Sequence, residues 1–179
     1  MKNIAVTYKS HYGTTKQYAQ WIAEELGATL LERKEVSPAD FQGYDLVIHG
    51  GGLYASGILG IDLVVKNPVK NLIVFTVGMA NPETTDYTEI IQQNIPENLR
   101  EKTKVFHLRG GMDYSKLSIA HRGIMAMMKK MILDKKSETE LTDKDRVFKD
   151  TYGSNIQFTD QATITPLIEY VKTYKCEET

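Results

Sequence analysis

Asn3-Ile-Ala-Val-Thr-Tyr-Lys-Ser-His-Tyr-Gly-Thr-Thr-Lys16 decides the fold: an apolar run breaks into a turn rich in hydroxyls and glycine, and that turn opens a helix. Ile4, Ala5 and Val6 suit a buried strand. From Thr15 to Leu26, a period of 3.6 puts Tyr18, Ala19, Ile22, Ala23 and Leu26 on one helical face. A helix N-terminus leaves backbone N–H groups unpaired and carries the positive end of the helix dipole, so an anion placed there is stabilised without a dedicated cation. Ser10, Thr14 and Thr15 offer hydroxyl donors to phosphate oxygens, and Gly13 permits backbone approach or a positive φ angle. The same residue types also make an ordinary helix cap with no ligand.

Neither G-x-x-x-x-G-K-[ST] nor G-x-G-x-x-G occurs at this turn, which leaves a mononucleotide as the phosphate carrier. The order Ser10-His11-Tyr12-Gly13-Thr14-Thr15, set immediately after a first strand, resembles the phosphate loop of the flavodoxin family, [ST]-x-x-G-x-[ST]. The resemblance implies FMN, with Ser10, His11, Tyr12, Gly13, Thr14 and Thr15 around its phosphate.

Working outward, Tyr44-Asp-Leu-Val-Ile-His-Gly50 reads as a third strand, and its run Leu46-Val47-Ile48 implies burial on both faces. The strand passes into Gly50-Gly-Gly-Leu-Tyr-Ala-Ser-Gly57, where three consecutive glycines mark a bend or a close approach to something flat. In flavodoxins the loop after the third strand supplies backbone contacts and an aromatic beside the isoalloxazine. The resemblance therefore points to Gly52, Leu53, Tyr54 and Ala55, with Tyr54 in place of the usual tryptophan. Trp21, on the first helix, is assigned to packing. Asn71-Leu-Ile-Val-Phe-Thr-Val77 is the clearest buried strand and ends at Gly78-Met79-Ala80-Asn81. Those four residues lack the acidic loop and stacking tyrosine of classical short-chain flavodoxins, which leaves the second flavin face open or covered by Met79. Lys104-Val-Phe-His-Leu-Arg109 is a fifth strand, again followed by glycines, Gly110 and Gly111.

The remaining elements fit between these. Ala28 to Arg33 is a short second strand after a helix stop at Gly27, and Ser37-Pro38-Ala-Asp40 is a turn or brief helical start. Residues 58–65 read as a short helix, residues 86–94 as a helix stopped before Pro96, and Thr165-Pro166 as the start of a terminal helix. Strands alternating with helices favour parallel pairing. The expectation is an α/β, flavodoxin-like doubly wound domain over 1–179, with five parallel strands in the order 2-1-3-4-5 and helices on both faces. In such a sheet, ligands collect beyond the carboxyl ends of the strands near the point where strand order reverses, where the loops after strands one, three and four bring small and hydroxyl residues. His49 and His107, within strands, are assigned to packing or structural hydrogen bonds.

At 179 residues and 41% hydrophobic content the chain can bury one good core. A net charge of −1 gives no case for nucleic acid. The single cysteine, Cys176, excludes an intramolecular disulfide and a cysteine-based metal cluster, and a reducing cytoplasm is the expected compartment. No basic n-region precedes a sustained apolar segment, and no run reaches the roughly 18 residues that span a bilayer.

Residues at about 115–155 are expected to form an insertion. Ser118-Ile-Ala-His-Arg-Gly-Ile-Met-Ala-Met-Met-Lys-Lys-Met-Ile-Leu133 holds four of the seven methionines beside Arg122, Lys129 and Lys130. It should be helical, with apolar positions around more than half its circumference. Methionine suits irregular core gaps and adaptable contact surfaces alike, so core packing, a homodimer interface, peripheral membrane contact and a lid over the flavin all remain open. Residues 133–154 are strongly charged and read as a solvated, mobile excursion. A basic, apolar segment between the fifth strand and the final helix resembles the insertion of the flavodoxin-like, menaquinone-dependent protoporphyrinogen dehydrogenases.

The expected function is that of an FMN-binding electron-transfer protein serving a redox partner protein. The alternative is an FMN-dependent oxidoreductase, of the protoporphyrinogen dehydrogenase or quinone reductase type, acting on a quinone or another small molecule. A response-regulator receiver is disfavoured, because Tyr8-Lys9 and His49-Gly50 stand where its carboxylates would be needed.

Overall fold

The computed structural model describes residues 2–54, 56–67, 69–132 and 134–176. They form two compact units, Met1–Gly110 with Thr159–Thr179, and Gly111–Phe158. In the first unit, β1 (Ile4–Lys9) leads into α1 (Thr14–Leu26), and Gly27 closes that helix in the left-handed region at φ 59°. Then come β2 (Thr29–Glu32), a 3-10 turn over Pro38–Gly43, β3 (Leu46–Tyr54), β4 (Gly57–Ile58) and α2 (Asp62–Val65). They are followed by β5 (Leu72–Gly78), α3 (Thr88–Asn94), α4 (Glu97–Arg100) and β6 (Lys104–Arg109). The parallel strands lie in the order β2-β1-β3-β5-β6, which is the expected 2-1-3-4-5 once the short antiparallel return strand β4 is counted. Residues 58–65, expected as one helix, divide between the end of β4 and the four-residue α2.

Alternation along each strand sorts side chains to two faces. Ile4, Val6, Tyr8, Leu46, Ile48, Ile73 and Phe75 pack with Tyr18 and Ile22 of α1 and with Leu167, Ile168 and Val171 of α7 (Thr165–Thr173). Val47, Leu72 and Val74 pack on the other face with Phe41, Leu63, Val64 and Ile95. Trp21 meets Tyr18 edge-on at 5.5 Å between ring centroids, so it is a packing residue as expected.

The three glycines are not a loop. All belong to β3, and the first two answer to close packing within the protein: a Cβ on Gly50 would lie 2.1 Å from Phe75 Cζ, and one on Gly51 would lie 2.4 Å from Ile58 Cγ2. The flat group at Gly50 is the ring of its register partner, Phe75. Gly51 makes room for the returning hairpin strand.

His49 is buried, with Nε2 3.1 Å from Leu59 O. His107 has Nδ1 2.7 Å from Thr76 Oγ1 and stacks on Tyr87 at 3.7 Å and 6°. Burial lowers both imidazoles to about 4; for His49 the Leu59 carbonyl and Asp62 oppose that shift and Arg33 adds to it. Above pH 6.5 both histidines are neutral in the folded and unfolded chain. Between 6.5 and about 4 the unfolded chain takes up the protons, so stability falls with pH by up to about 1.4 kcal/mol per unit from His49. His107 adds a smaller term, screened by solvent. Urea unfolding from pH 7 to 4 should show this slope, and His49→Gln should flatten it.

The second unit pairs β7 (Gly111–Asp113) antiparallel to β8 (Asn155–Gln157) and carries α5 (Ile119–Ile132) and α6 (Asp143–Thr151). The excursion over 133–154 is mostly exposed among its described residues, as expected, but it carries an ordered helix that its composition did not announce. Thr142 and Asp145 form a reciprocal capping box that starts α6, Lys136 pairs with Asp145 at 2.7 Å, and Leu141 is buried.

Candidate functional site

β2 and β3 flank β1 on opposite sides, so strand order reverses between β1 and β3, the point beyond whose carboxyl ends open parallel sheets bind ligands. The turn after β1 lies at that end. Gly13 is in the left-handed region at φ 92°, which favours glycine, and its N–H donates to Ser10 Oγ at 2.9 Å. The turn thus closes on itself immediately before α1. Gly13, at the cap position of α1, has no side chain to cap it, and the first turn holds no carboxylate. The ordinary cap therefore gives way: Ser10 serves the loop, and Thr14 and Thr15 lie inside the helix.

Two strand ends approach those hydroxyls, and both do so with glycine. A Cβ on Gly110 would lie 3.1 Å from Thr14 Oγ1, and one on Gly52 would lie 3.3 Å from Thr15 Oγ1. Gly78 comes up against Leu53 in the same manner, at 3.0 Å from its Cδ1. The loops are also tied together. Gly110 N–H donates to Gly78 O at 2.7 Å, Arg109 Nε–H to Met79 O at 3.1 Å, and Tyr18 O–H to Arg109 O at 2.8 Å. Ser10 and Thr14 are half-buried and Thr15 is buried, so the hydroxyls differ in access.

Leu53 and Tyr54 are the last residues of β3 rather than loop residues. Tyr54 is 37% exposed, and His11 meets its ring edge-on at 5.8 Å. Tyr12 lies 6.0 Å from His11, and burial, then the nearby Tyr54, push its phenol above the ordinary tyrosine range. Gly78, Met79, Ala80 and Asn81 form a half-buried run; Asn81 Oδ1 accepts from Glu83 N–H at 3.1 Å, so its side chain shapes its own turn. Ala55 lies outside the described residues. Gly111 opens the second unit, where a Cβ would fall 2.0 Å from Gln157 Oε1, a strand-packing position.

One positioning residue escaped the sequence reading. Asn94 donates to Ser56 O and Ile90 O, each at 2.8 Å, and accepts from Ile58 N–H at 2.9 Å, which holds the tip of the hairpin that presents Tyr54. Its distance along the chain left no local signal. Asn94→Ala should cost about 1–2 kcal/mol and speed amide exchange of Ser56 to Ile58 well before that of β5, as hydrogen-exchange mass spectrometry would read.

A family model described as a flavodoxin domain matches residues 5–140. The chain belongs to the flavodoxin family. An uncharacterized protein of Methanocaldococcus jannaschii is 34% identical over 79 residues, which are 41% of this chain and 53% of that protein. The flavodoxin chain described here thus spans about half the length of the curated relative it matches. Among solved structures, a flavodoxin from the domain Archaea is 14% identical with a TM-score of 0.45, over 64% of this chain and 87% of that one. Oxidised flavodoxin 2 from Bacillus cereus is 19% identical with a TM-score of 0.43, over 72% and 99%. A flavoprotein in complex with FMN from Lactobacillus acidophilus is 13% identical with a TM-score of 0.42, over 61% and 93%. FMN is the cofactor of the flavodoxin family, and the donor set fits it: an uncapped helix start, a half-buried hydroxyl and glycine-lined approaches that a single Cβ would fill.

Proposed function

We propose that this flavodoxin-family protein holds FMN at the carboxyl edge of its sheet and passes electrons between redox partners. The observation that carries the reading is the start of α1, where the cap position is a glycine, framed by Ser10, Thr14 and Thr15 and closely approached by glycines 52 and 110. Bound FMN supplies the redox chemistry at its isoalloxazine ring. The first-turn N–H groups of α1 and the hydroxyls of Ser10 and Thr14 bind the phosphate; His11 and Tyr12 line the turn. Thr15, buried, sets the backbone of that turn. Leu53, Tyr54 and the peptide groups of Gly78 to Asn81, the latter tied by Arg109 and Gly110, would hold the isoalloxazine ring. Because the cofactor performs the chemistry, the chain need not supply an acid or a base.

The partner is a redox protein in the carrier reading, in the reducing cytoplasm suggested by the lone cysteine. No helix among the described residues is long and apolar enough to cross a membrane. The oxidoreductase reading is favoured by one feature, the separate unit after β6, which a minimal carrier does not need. Anaerobic dithionite titration of the FMN-loaded protein, followed by steady-state assays with quinones, separates the two. A carrier takes up its electrons in two resolved one-electron steps and shows no sustained quinone turnover; sustained turnover would replace the carrier with the enzyme.

A further inference from the structure

The helix of the second unit is amphipathic and turned outward. None of the residues of α5 is buried, and Ile119, Ile124, Met127, Met128 and Met131 are among the exposed large hydrophobics, Met127 and Met131 at 57% each. At 100° per residue, Ala120, Ile124, Met127 and Met131 fall within one stripe about 60° wide, with Met128 at its margin. Arg122 and Lys129 fall on the opposite arc, and Lys130 flanks the stripe about 60° from Met127. Arg122 Nη2 donates to Ser115 O at 2.8 Å, and Lys129 Nζ lies 4.8 Å from the centroid of the Tyr152 ring, so these two side chains are held to the unit while the apolar stripe and Lys130 are exposed.

Charge says what covers it. Residues 114–133 carry four Lys and Arg and no Asp or Glu, whereas the other 18 Lys and Arg stand against 23 Asp and Glu, a net −5 for the rest of the chain. A second copy would bring the same positive segment against itself. An anionic surface would meet the stripe with the exposed Lys130 at its edge, within a segment of net charge +4.

We propose that α5 docks this protein on the surface of anionic lipid bilayers, lying in the interface with the stripe of Ile124, Met127 and Met131 among the acyl chains. Flexible, unbranched methionine side chains suit a fluid surface without a fixed relief. With 14 residues at 1.5 Å each, α5 is about 21 Å long, too short to span a hydrocarbon core of about 30 Å, so it lies on the membrane rather than crossing it. The inference is independent of the flavin reading, since it concerns no residue of that site.

The test is flotation of the full-length, FMN-loaded protein with vesicles of phosphatidylcholine alone and of phosphatidylcholine mixed with phosphatidylglycerol. The expected result is flotation with the mixed vesicles only, reversed by salt, and reduced at least about tenfold in the double variant Met127→Glu, Met131→Glu. Both sites are exposed, and an unchanged circular dichroism spectrum and melting temperature would show that the variant folds. A second variant, Lys130→Glu, should weaken flotation without touching the stripe. No flotation with mixed vesicles, equal flotation with neutral ones, or undiminished flotation of the double variant would overturn the proposal. So would sedimentation velocity showing a dimer that the double variant disperses, which would give the stripe to a second copy.

Discussion

Gly50→Ala should destabilise the protein by about 3 kcal/mol, the upper range for overpacking a core, although the change adds a single methyl group. The built Cβ would sit 2.1 Å from Phe75 Cζ and 2.6 Å from Cε1, and Phe75 itself is fully buried, so its ring has no solvent side to retreat to. The origin of the cost can be isolated. Phe75→Leu alone leaves a cavity and destabilises, but in the Gly50→Ala background the shorter side chain relieves the clash. The double variant should be more stable than the sum of its parts by at least about 1 kcal/mol in urea unfolding. Strict additivity would mean that the ring does not set the glycine, and that another contact must be found.

Thr14→Glu should move stability and binding in opposite directions. A carboxylate in the first turn of α1, where there is none, complements the helix dipole and should raise the melting free energy of the free protein by about 0.3–1 kcal/mol. The same carboxylate would take the place of the phosphate and remove one of its proposed hydroxyl donors, so FMN affinity should drop more than about 100-fold. Fluorescence titration of FMN beside a thermal melt reads both quantities. A stabilised protein with unchanged affinity would move the phosphate elsewhere. Thr15 is a poorer probe, because its buried side chain confounds binding with folding.

Local pattern carried most of the fold. The periods of Ile4 to Leu26, the apolar run at Leu72 to Val77 and the alternation of strands with helices placed the central elements within a few residues, and from them the switch point between β1 and β3. The turn from Ser10 into the start of α1 was legible for the same reason: its residues are contiguous. What escaped depends on partners distant in sequence. Gly50 is glycine because of Phe75 on the adjacent strand, and Asn94 matters because a hairpin 36 to 38 residues earlier needs its tip held. Composition misled at residues 133–154, where many charges concealed an ordered helix; Thr142-Asp-Lys-Asp145 carried the capping signal that announces it.

The central claim is that the turn after β1 holds a phosphate, and riboflavin tests it most directly because it is FMN without that group. Purified protein is mixed with either compound, freed of excess ligand, and its retained flavin absorbance and dissociation constant are measured. The account predicts retained FMN and riboflavin binding weaker by at least about 100-fold, the worth of two charge-assisted hydrogen bonds. Equal affinity for the two, or no retained FMN, would contradict it and return Ser10 to Thr15 to the role of a structural turn.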